Sequence, residues 1–185
     1  NAALSIGVIL PKSQESLRDA IDLAVMEMNS IGEGNIEIFY ERAECSTSDL
    51  EKAVSELKKK NANAIYGILC KGLFNLAADL AEKENIIIVM PDLNESGSSS
   101  SNASLANIGL LKMRLYDKPH QNTYWFRLAM DKFYNRTADA YDAVSYDAAN
   151  IIALMLQNKN IKDYNGVIGI ANLEERGNVY LVVLE

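Results

Sequence analysis

Residues 62–82, ANAIYGILCKGLFNLAADLAE, decide the fold. Within them, residues 64–69 form a short apolar run bounded by turn residues, which predicts a strand buried on both faces of a parallel sheet. The helical spacing of the following apolar residues predicts a helix that begins near Lys71. A strand that runs into a helix through such a turn leaves free backbone N–H groups at the carboxyl edge of the sheet, where open α/β sheets bind small ligands. The apolar residues at helical spacing are Leu73, Leu76, Ala77 and Leu80.

Composition limits the classes of protein to which the chain can belong. Its 185 residues suit one domain, and 49% hydrophobic with 23% charged residues is the balance of a globular protein. The net charge of −7 argues against a nucleic-acid partner, because a phosphate-binding surface is basic. No apolar run is long enough to predict a membrane span. The chain enters its first predicted strand by Leu4, so we expect any signal peptide to have been removed.

The first half of the chain alternates between strands and helices. Further apolar runs predict strands at residues 4–10, 36–40 and 86–90, with amphipathic helices between them. Thr47 or Ser48 is the predicted cap of the second helix. Short connections with right-handed crossovers predict an α/β fold, a three-layer αβα sandwich around a mainly parallel, doubly wound sheet of order 2-1-3-4-5.

The second half is less regular. Residues 92–102 are rich in Ser, Gly and Asn and predict a mobile loop, while residues 105–119 have no clean period. The remaining elements predicted from apolar spacing are a fifth strand at 124–128, a helix at 139–157, and a strand pair at 166–171 and 178–184 around a turn at 175–177. Three carboxylates of this helix are interpreted as cap and surface groups: Asp139, Asp142 and Asp147.

An ordered set of segments resembles the type I periplasmic binding proteins, in particular the branched-chain amino-acid binding proteins of bacterial ABC transporters. The resemblance implies a non-enzymatic domain that binds a small polar or anionic solute, uses no cofactor, and delivers the solute to an ABC permease. It also implies a periplasmic or extracellular location, with or without a lipid anchor. The matching segments are IGVILP at 6–11, EMN at 27–29, YGILCKG at 66–72, NIIIVMP at 85–91, YWFR at 124–127, AYDAVSYDAANII at 140–152 and NGVIGIANLEERG at 165–177.

The same resemblance implies a disulfide between Cys45 and Cys70, since such proteins commonly carry one cysteine after strand two and another after strand three. Both cysteines also follow strands that flank strand one, so their loops lie at one edge of the sheet and within disulfide reach. The alternative is two unrelated thiols.

The resemblance places the ligand's carboxylate at the helix that follows strand three, where Lys71 stands in this chain, and a second contact at Asn94. Lys71 replaces the usual Ser or Thr, and its charge favours an anionic ligand; the plainer interpretation is a solvated surface lysine. The full set of predicted ligand-binding residues is Ser13, Leu69, Cys70, Lys71, Gly72, Asp92, Leu93 and Asn94.

The resemblance also implies that a second lobe is absent from this chain. Residues 1–131 would run to a hinge strand at 124–127, and residues 132–185 would return through a helix and the terminal strands. An exposed cleft face would then present Leu69, Leu93 and Met130 as an apolar patch. We expect one of two outcomes. Either a second copy of the chain covers this face and forms a homodimer, or the chain stays monomeric with a mobile loop at 92–104.

Three other classes of protein remain open. A scaffold or regulatory lipoprotein domain of the same fold would bind a protein partner. A thiol enzyme would pair Cys70 with the single histidine, His120. A flavodoxin-like enzyme or receiver domain is a more distant alternative, because the strand ends lack an acidic cluster. One histidine predicts no zinc site.

Overall fold

The structure is a computed structural model that describes residues 3–32, 35–91, 121–162, 164–167 and 169–184. Several sequence-based predictions lie outside these residues: the mobile loop at 92–102, the unassigned stretch at 105–119, His120, and the site residues Asp92, Leu93 and Asn94.

Five α-helices and seven strands are formed by the described residues. The helices are α1 (Leu17–Ser30), α2 (Thr47–Lys59), α3 (Phe74–Glu84), α4 (Gln121–Tyr134) and α5 (Ala140–Leu156). The strands are β1 (Leu4–Leu10), β2 (Ile36–Arg42), β3 (Ala64–Gly67), β4 (Ile87–Pro91), β5 (Tyr164–Asn165), β6 (Ile170–Arg176) and β7 (Val179–Leu184). Two 3₁₀ turns, Lys12–Gln14 and Lys71–Leu73, follow β1 and β3.

All seven strands belong to one sheet of order β2-β1-β3-β4-β7-β6-β5. The predicted order 2-1-3-4 and the mainly parallel α/β architecture are confirmed, since β2, β1, β3, β4 and β7 pair in parallel. Among the described strands, only the β5–β6 and β6–β7 pairs are antiparallel. The fifth position is filled by β7, and not by residues 124–128.

Helices cover both faces of this sheet. Helices α1 and α5 pack on one face around Val8, Tyr66 and Val89, and α2 and α3 pack on the other around Ile9 and Ile65. The alternation of β1 side chains between the two clusters follows from the two-residue period of a strand. The buried residues of α2 lie on one face of the helix and are Leu50, Ala53, Val54 and Leu57.

The expectation of a hinge strand at residues 124–128 is wrong. These residues lie within α4, whose buried side chains Thr123, Phe126 and Met130 recur at helical spacing. Phe126 and Met130 pack against α1 and α5, so Met130 is fully buried and is not part of an exposed patch. The predicted boundary between residues 131 and 132 falls inside the same helix. The absence of a second lobe therefore stays a prediction. The hinge strand on which that prediction depended does not exist, because these residues are helical.

Smaller differences concern the ends of elements. The cap of α2 is Ser46, and not Thr47 or Ser48, because the Ser46 hydroxyl accepts the Asp49 N–H at 3.2 Å. The strand predicted at 166–171 begins later, at Ile170, because the chain turns at Gly166, whose backbone packs against the buried Asp147 carboxylate.

Two carboxylates that sequence reasoning placed at the surface, Asp142 and Asp147, are fully buried. Asp147 accepts the Val167 N–H at 3.0 Å and thereby holds the segment that follows β5 against α5. Asp139 is the cap of α5, as predicted, and forms a reciprocal capping box with Asp142.

Arg136, in the connection between α4 and α5, explains the burial of Asp142. Its two terminal nitrogens each donate to an Asp142 oxygen at 2.7 Å, and its Nε donates to Asp19 of α1 at 2.7 Å. It also donates to the Ser16 carbonyl at 2.7 Å. The hydrogen bonds to Asp142 raise the pKa of the Arg136 guanidinium. One side chain therefore joins the first turns of α1 and α5.

Candidate functional site

Three loops meet at the carboxyl edge of β1, β2 and β3. The loop after β1 is bonded to the loop after β2, because the Lys12 N–H donates to Glu44 Oε1 at 3.1 Å. The Ala43 N–H also donates to the Leu10 carbonyl, at 3.3 Å. The loop after β2 is joined covalently to the loop after β3 by the disulfide between Cys45 and Cys70. The edge that the sequence predicted to bind a ligand is therefore cross-linked across three neighbouring strands.

The predicted disulfide is confirmed. The Cα atoms of Cys45 and Cys70 lie 5.5 Å apart across a sequence separation of 25 residues. Cys70 stands just before the 3₁₀ turn Lys71–Leu73, and its carbonyl accepts the Leu73 N–H at 3.0 Å. The bridge therefore holds the turn on which the predicted ligand contact Lys71 stands.

The backbone that leads into this turn has an unusual conformation. Ile68 has φ of 60°, a left-handed conformation that is strained for a β-branched residue, and Gly67 before it has φ of 123°. The Ile68 N–H donates to the Ile9 carbonyl at 3.3 Å, so β3 turns away while still bonded to β1. The burial of the Ile68 side chain, at 4% exposure, offsets the strain.

The structure brings together part of the predicted site. Ser13 is exposed in the 3₁₀ turn after β1, and Leu69 and Cys70 are half-buried beside the turn after β3. Gly72 is exposed, with open space around its Cα. Helix α3 begins at Phe74, later than the predicted start near Lys71, so Lys71 stands in a short turn before the helix. The binding role of all these residues stays a prediction.

The groups at this edge limit the chemistry that it can support. Cys70 is bonded to Cys45, so it offers no free thiol to a Cys–His enzyme in this oxidised form. Within the described residues, no group of three or more His, Cys, Asp or Glu side chains could hold a metal ion. Backbone N–H groups and the exposed Ser13 hydroxyl are among the polar groups at this edge.

Two residues that shape the edge were not found from the sequence. Glu44 joins the first two loops, and Ile68 adopts the left-handed backbone before the disulfide. Glu44 precedes Cys45 and could have been suspected as a loop acid. No local signal marks Ile68, because its conformation depends on a hydrogen bond to a strand far away in sequence.

Comparison with solved structures shows which known proteins share this fold. The structure matches a substrate-binding protein of an ABC transporter from Desulfitobacterium hafniense in complex with Leu, with a TM-score of 0.75, 14% identity, and coverage of 99% of this chain and 96% of that chain. The chain described here has the type I periplasmic binding-protein fold. The described residues form one α/β lobe of this fold, and the resemblance noted from the sequence is confirmed at the level of the fold.

Two further binding-protein structures show the same fold. The branched-chain amino-acid substrate-binding protein LivJ from Streptococcus pneumoniae, in complex with isoleucine, has a TM-score of 0.72 at 13% identity, with 98% of this chain and 94% of that chain covered. The leucine-binding protein LivK from Thermotoga maritima has a TM-score of 0.71 at 12% identity, with 95% and 92% covered. No family model and no curated protein matches the sequence. Among the described helices, none has both the length and the hydropathy to cross a membrane.

The disulfide gives a first testable prediction. We expect the denatured, unreduced protein to show no free thiol, and reduction to lower the free energy of unfolding by about 3 kcal/mol, as the chain-entropy estimate gives for a loop of this length. Thiol titration and thermal denaturation with and without reductant measure both effects. In the double variant Cys45→Ser, Cys70→Ser, reductant should change nothing further. Two free thiols in the unreduced protein would contradict the bridge.

Proposed function

We propose that this chain is an extracytoplasmic solute-binding lobe of the type found with ABC transporters, which binds a small polar or anionic molecule and performs no reaction on it. The observation that carries the proposal is the carboxyl edge, where a disulfide and the Lys12–Glu44 hydrogen bond fix three loops around the strained turn at Ile68. Such strain, held in place by surrounding structure, is found at ligand sites. The fold shared with proteins solved in complex with leucine and isoleucine supports the same reading.

The location and partners follow from this proposal. A disulfide persists in an oxidising compartment, which favours the periplasm or the cell surface. In a full assembly the lobe would work with an ABC permease. The predicted contacts are Ser13, Leu69, Cys70, Lys71 and Gly72, together with residues 92–94.

Binding by this lobe alone is expected to be weak, because one side of a cleft supplies only part of the contacts of an enclosed ligand. We expect leucine or sulfate, added separately to the ¹⁵N-labelled protein, to shift the backbone amide signals of Ser13 and of Leu69 through Gly72 with millimolar affinity. Lys71→Ala should abolish the sulfate response, and Lys83→Ala, on the exposed face of α3, should leave it intact. Unchanged amide signals with both ligands would contradict the proposed site, and micromolar affinity for leucine would contradict the half-site argument.

One observation favours a second candidate, a scaffold or regulatory domain that binds a protein. Helix α4 exposes four large apolar side chains by 41 to 59%: Tyr124, Trp125, Leu128 and Phe133. The rings of Tyr124 and Trp125 lie 5.4 Å apart, and exposed apolar side chains that adjoin in this way are typical of interaction surfaces. The same exposed side chains could instead contact a second copy of this chain and form a homodimer. Sedimentation of the purified chain over a range of concentrations distinguishes the dimer from a monomer that needs a different partner.

A further inference from the structure

We infer that a second cleft, at the outer edge of the sheet, binds a small organic carboxylate with a short aliphatic chain. It lies where β1 and β2 end beside the start of α1, and it has a volume of about 120 Å³. Because β2 is the edge strand, this cleft stands on the opposite side of β1 from the turn that follows β3. It is therefore distinct from the turn that carries Lys71, and it shares with the proposed solute site the loop after β1, where Lys12 precedes Ser13. Its lining consists of Leu10, Pro11, Lys12, Glu15, Arg18, Tyr40, Glu41 and Arg42.

The balance of charges in this cleft favours an anion. Glu15 pairs with Arg18 at 3.6 Å. The Glu41 carboxylate is matched from outside the cleft, by Lys60 at 2.6 Å. Outside the lining, Glu44 pairs with Arg42 at 3.3 Å, so the Lys12 ammonium is the positive charge of the lining for which the described residues show no acidic partner. This unmatched cation, on a chain of net charge −7, attracts small anions.

The Arg18 guanidinium is held in place by contacts within the protein. The Arg18 guanidinium carbon lies 4.2 Å from the centre of the Tyr40 ring, a cation–π contact. Tyr40 is fixed in turn, because its hydroxyl donates to Asp22 Oδ1 at 2.5 Å. Burial and this hydrogen bond raise the pKa of Tyr40, so its hydroxyl stays protonated and adds no negative charge to the cleft.

Arg42 is positioned from the other side. Its Nε donates to Glu44 Oε1 at 3.3 Å, and the same oxygen accepts the Lys12 N–H. A guanidinium has five N–H donors in a rigid fork, so this one bond orients the group and leaves its terminal nitrogens to bind a planar carboxylate. Cations fixed before binding lose less conformational entropy when the ligand arrives.

The remaining lining selects for an aliphatic chain. Leu10 and Pro11 are buried, and with the Tyr40 ring they give the cleft an apolar floor. The volume corresponds to roughly four water molecules, at about 30 Å³ each. This is enough for a carboxylate with a chain of two to four carbons, and an inorganic tetrahedral anion would leave the apolar floor uncovered.

Butyrate is the probe for this proposal. At constant ionic strength, butyrate should shift the amide signals of Lys12, Arg18 and Arg42, and the neutral amide butyramide should not. Arg42→Gln should raise the dissociation constant of butyrate about tenfold, which corresponds to the loss of one charge-assisted hydrogen bond. The matched control Lys83→Gln removes an exposed positive charge on α3 and should leave the dissociation constant unchanged.

Several results would overturn the inference. Equal binding of butyrate by the Arg42→Gln and Lys83→Gln variants would show that Arg42 does not hold the ligand, contrary to the inference. Equal binding of butyramide would remove the role of charge, and tighter binding of sulfate at the same amides would replace a carboxylate with an inorganic anion. Shifts confined to Leu69 through Gly72 would place the anion at the proposed solute site. None of these outcomes depends on leucine binding, so the two proposals can fail separately.

Discussion

Gly67→Ala is expected to destabilise the protein by about 4 kcal/mol and to lower its melting temperature by about 8 to 16 °C. A Cβ at this position would lie 2.1 Å from the Ile9 carbonyl oxygen, and the backbone φ of +123° is strained for any residue with a side chain. The clash is with backbone of the central strand β1, so it cannot be relieved by a change of rotamer. Thermal and urea denaturation of the variant measure the effect.

Gly72→Ala is the matched control. It adds the same methyl group a few residues away, where nothing lies within 4 Å of the added Cβ. The control should melt within about 2 °C of the wild type, as expected for an exposed substitution of up to about 0.5 kcal/mol. Equal melting temperatures for the two variants would show that β3 does not cross β1 as closely as described.

Asp142→Ala is expected to cost about 4 kcal/mol, because it removes the carboxylate that holds Arg136 and leaves that cation partly buried without its bidentate partner. The Asp142 side chain is 1% exposed and that of Arg136 is 25% exposed. The variant also removes the acceptor of the Asp139 N–H, a bond of 2.8 Å in the capping box of α5. Chemical denaturation should show the loss as a lower midpoint at an unchanged slope.

An exposed ion pair with the same separation provides the comparison. Lys59 and Glu56 of α2 lie 2.7 Å apart, and both side chains are exposed to water. Glu56→Ala should leave the denaturation midpoint close to that of the wild type, since exposed ion pairs contribute little. Similar losses for the two variants would mean that burial of Asp142 does not determine its contribution.

The sequence was sufficient to predict most of the fold. Strands β1 to β4 and helices α1 to α3 follow from local apolar spacing and short connections, which also set their order in the sheet. Helix α4 was mistaken for a strand because Tyr124, Trp125 and Phe126 are consecutive aromatic residues that favour strands. Its inward-facing residues are spaced three and four apart, and the exposure of Tyr124 and Trp125 hides that period. Packing of this segment against α1 and α5 stabilises the helix despite the preference of its aromatic residues for strands.

The candidate site was only partly predictable, and for a different reason. The two cysteines could be placed from the strands that precede them. The left-handed turn at Ile68 depends on Ile9, which is distant in sequence. The buried Asp142 is bonded to Arg136, which in turn is fixed by Asp19, a residue far away in the chain. Such contacts leave no local pattern in the chain.

The position of β7 has a consequence for how the chain folds. Strand β4 pairs with β3 on one side and with β7 on the other, where Ile88 lies opposite Val179. The pairs among β1 to β4 arise from successive crossovers, but the β4–β7 pair closes a much longer loop, which slows its formation. We therefore expect pulsed hydrogen exchange during refolding to show protection in β1 and β3 before β7; simultaneous protection would contradict this order. Until the β6–β7 hairpin docks, β4 presents an open, apolar strand edge, so the half-assembled sheet is the species most prone to aggregate.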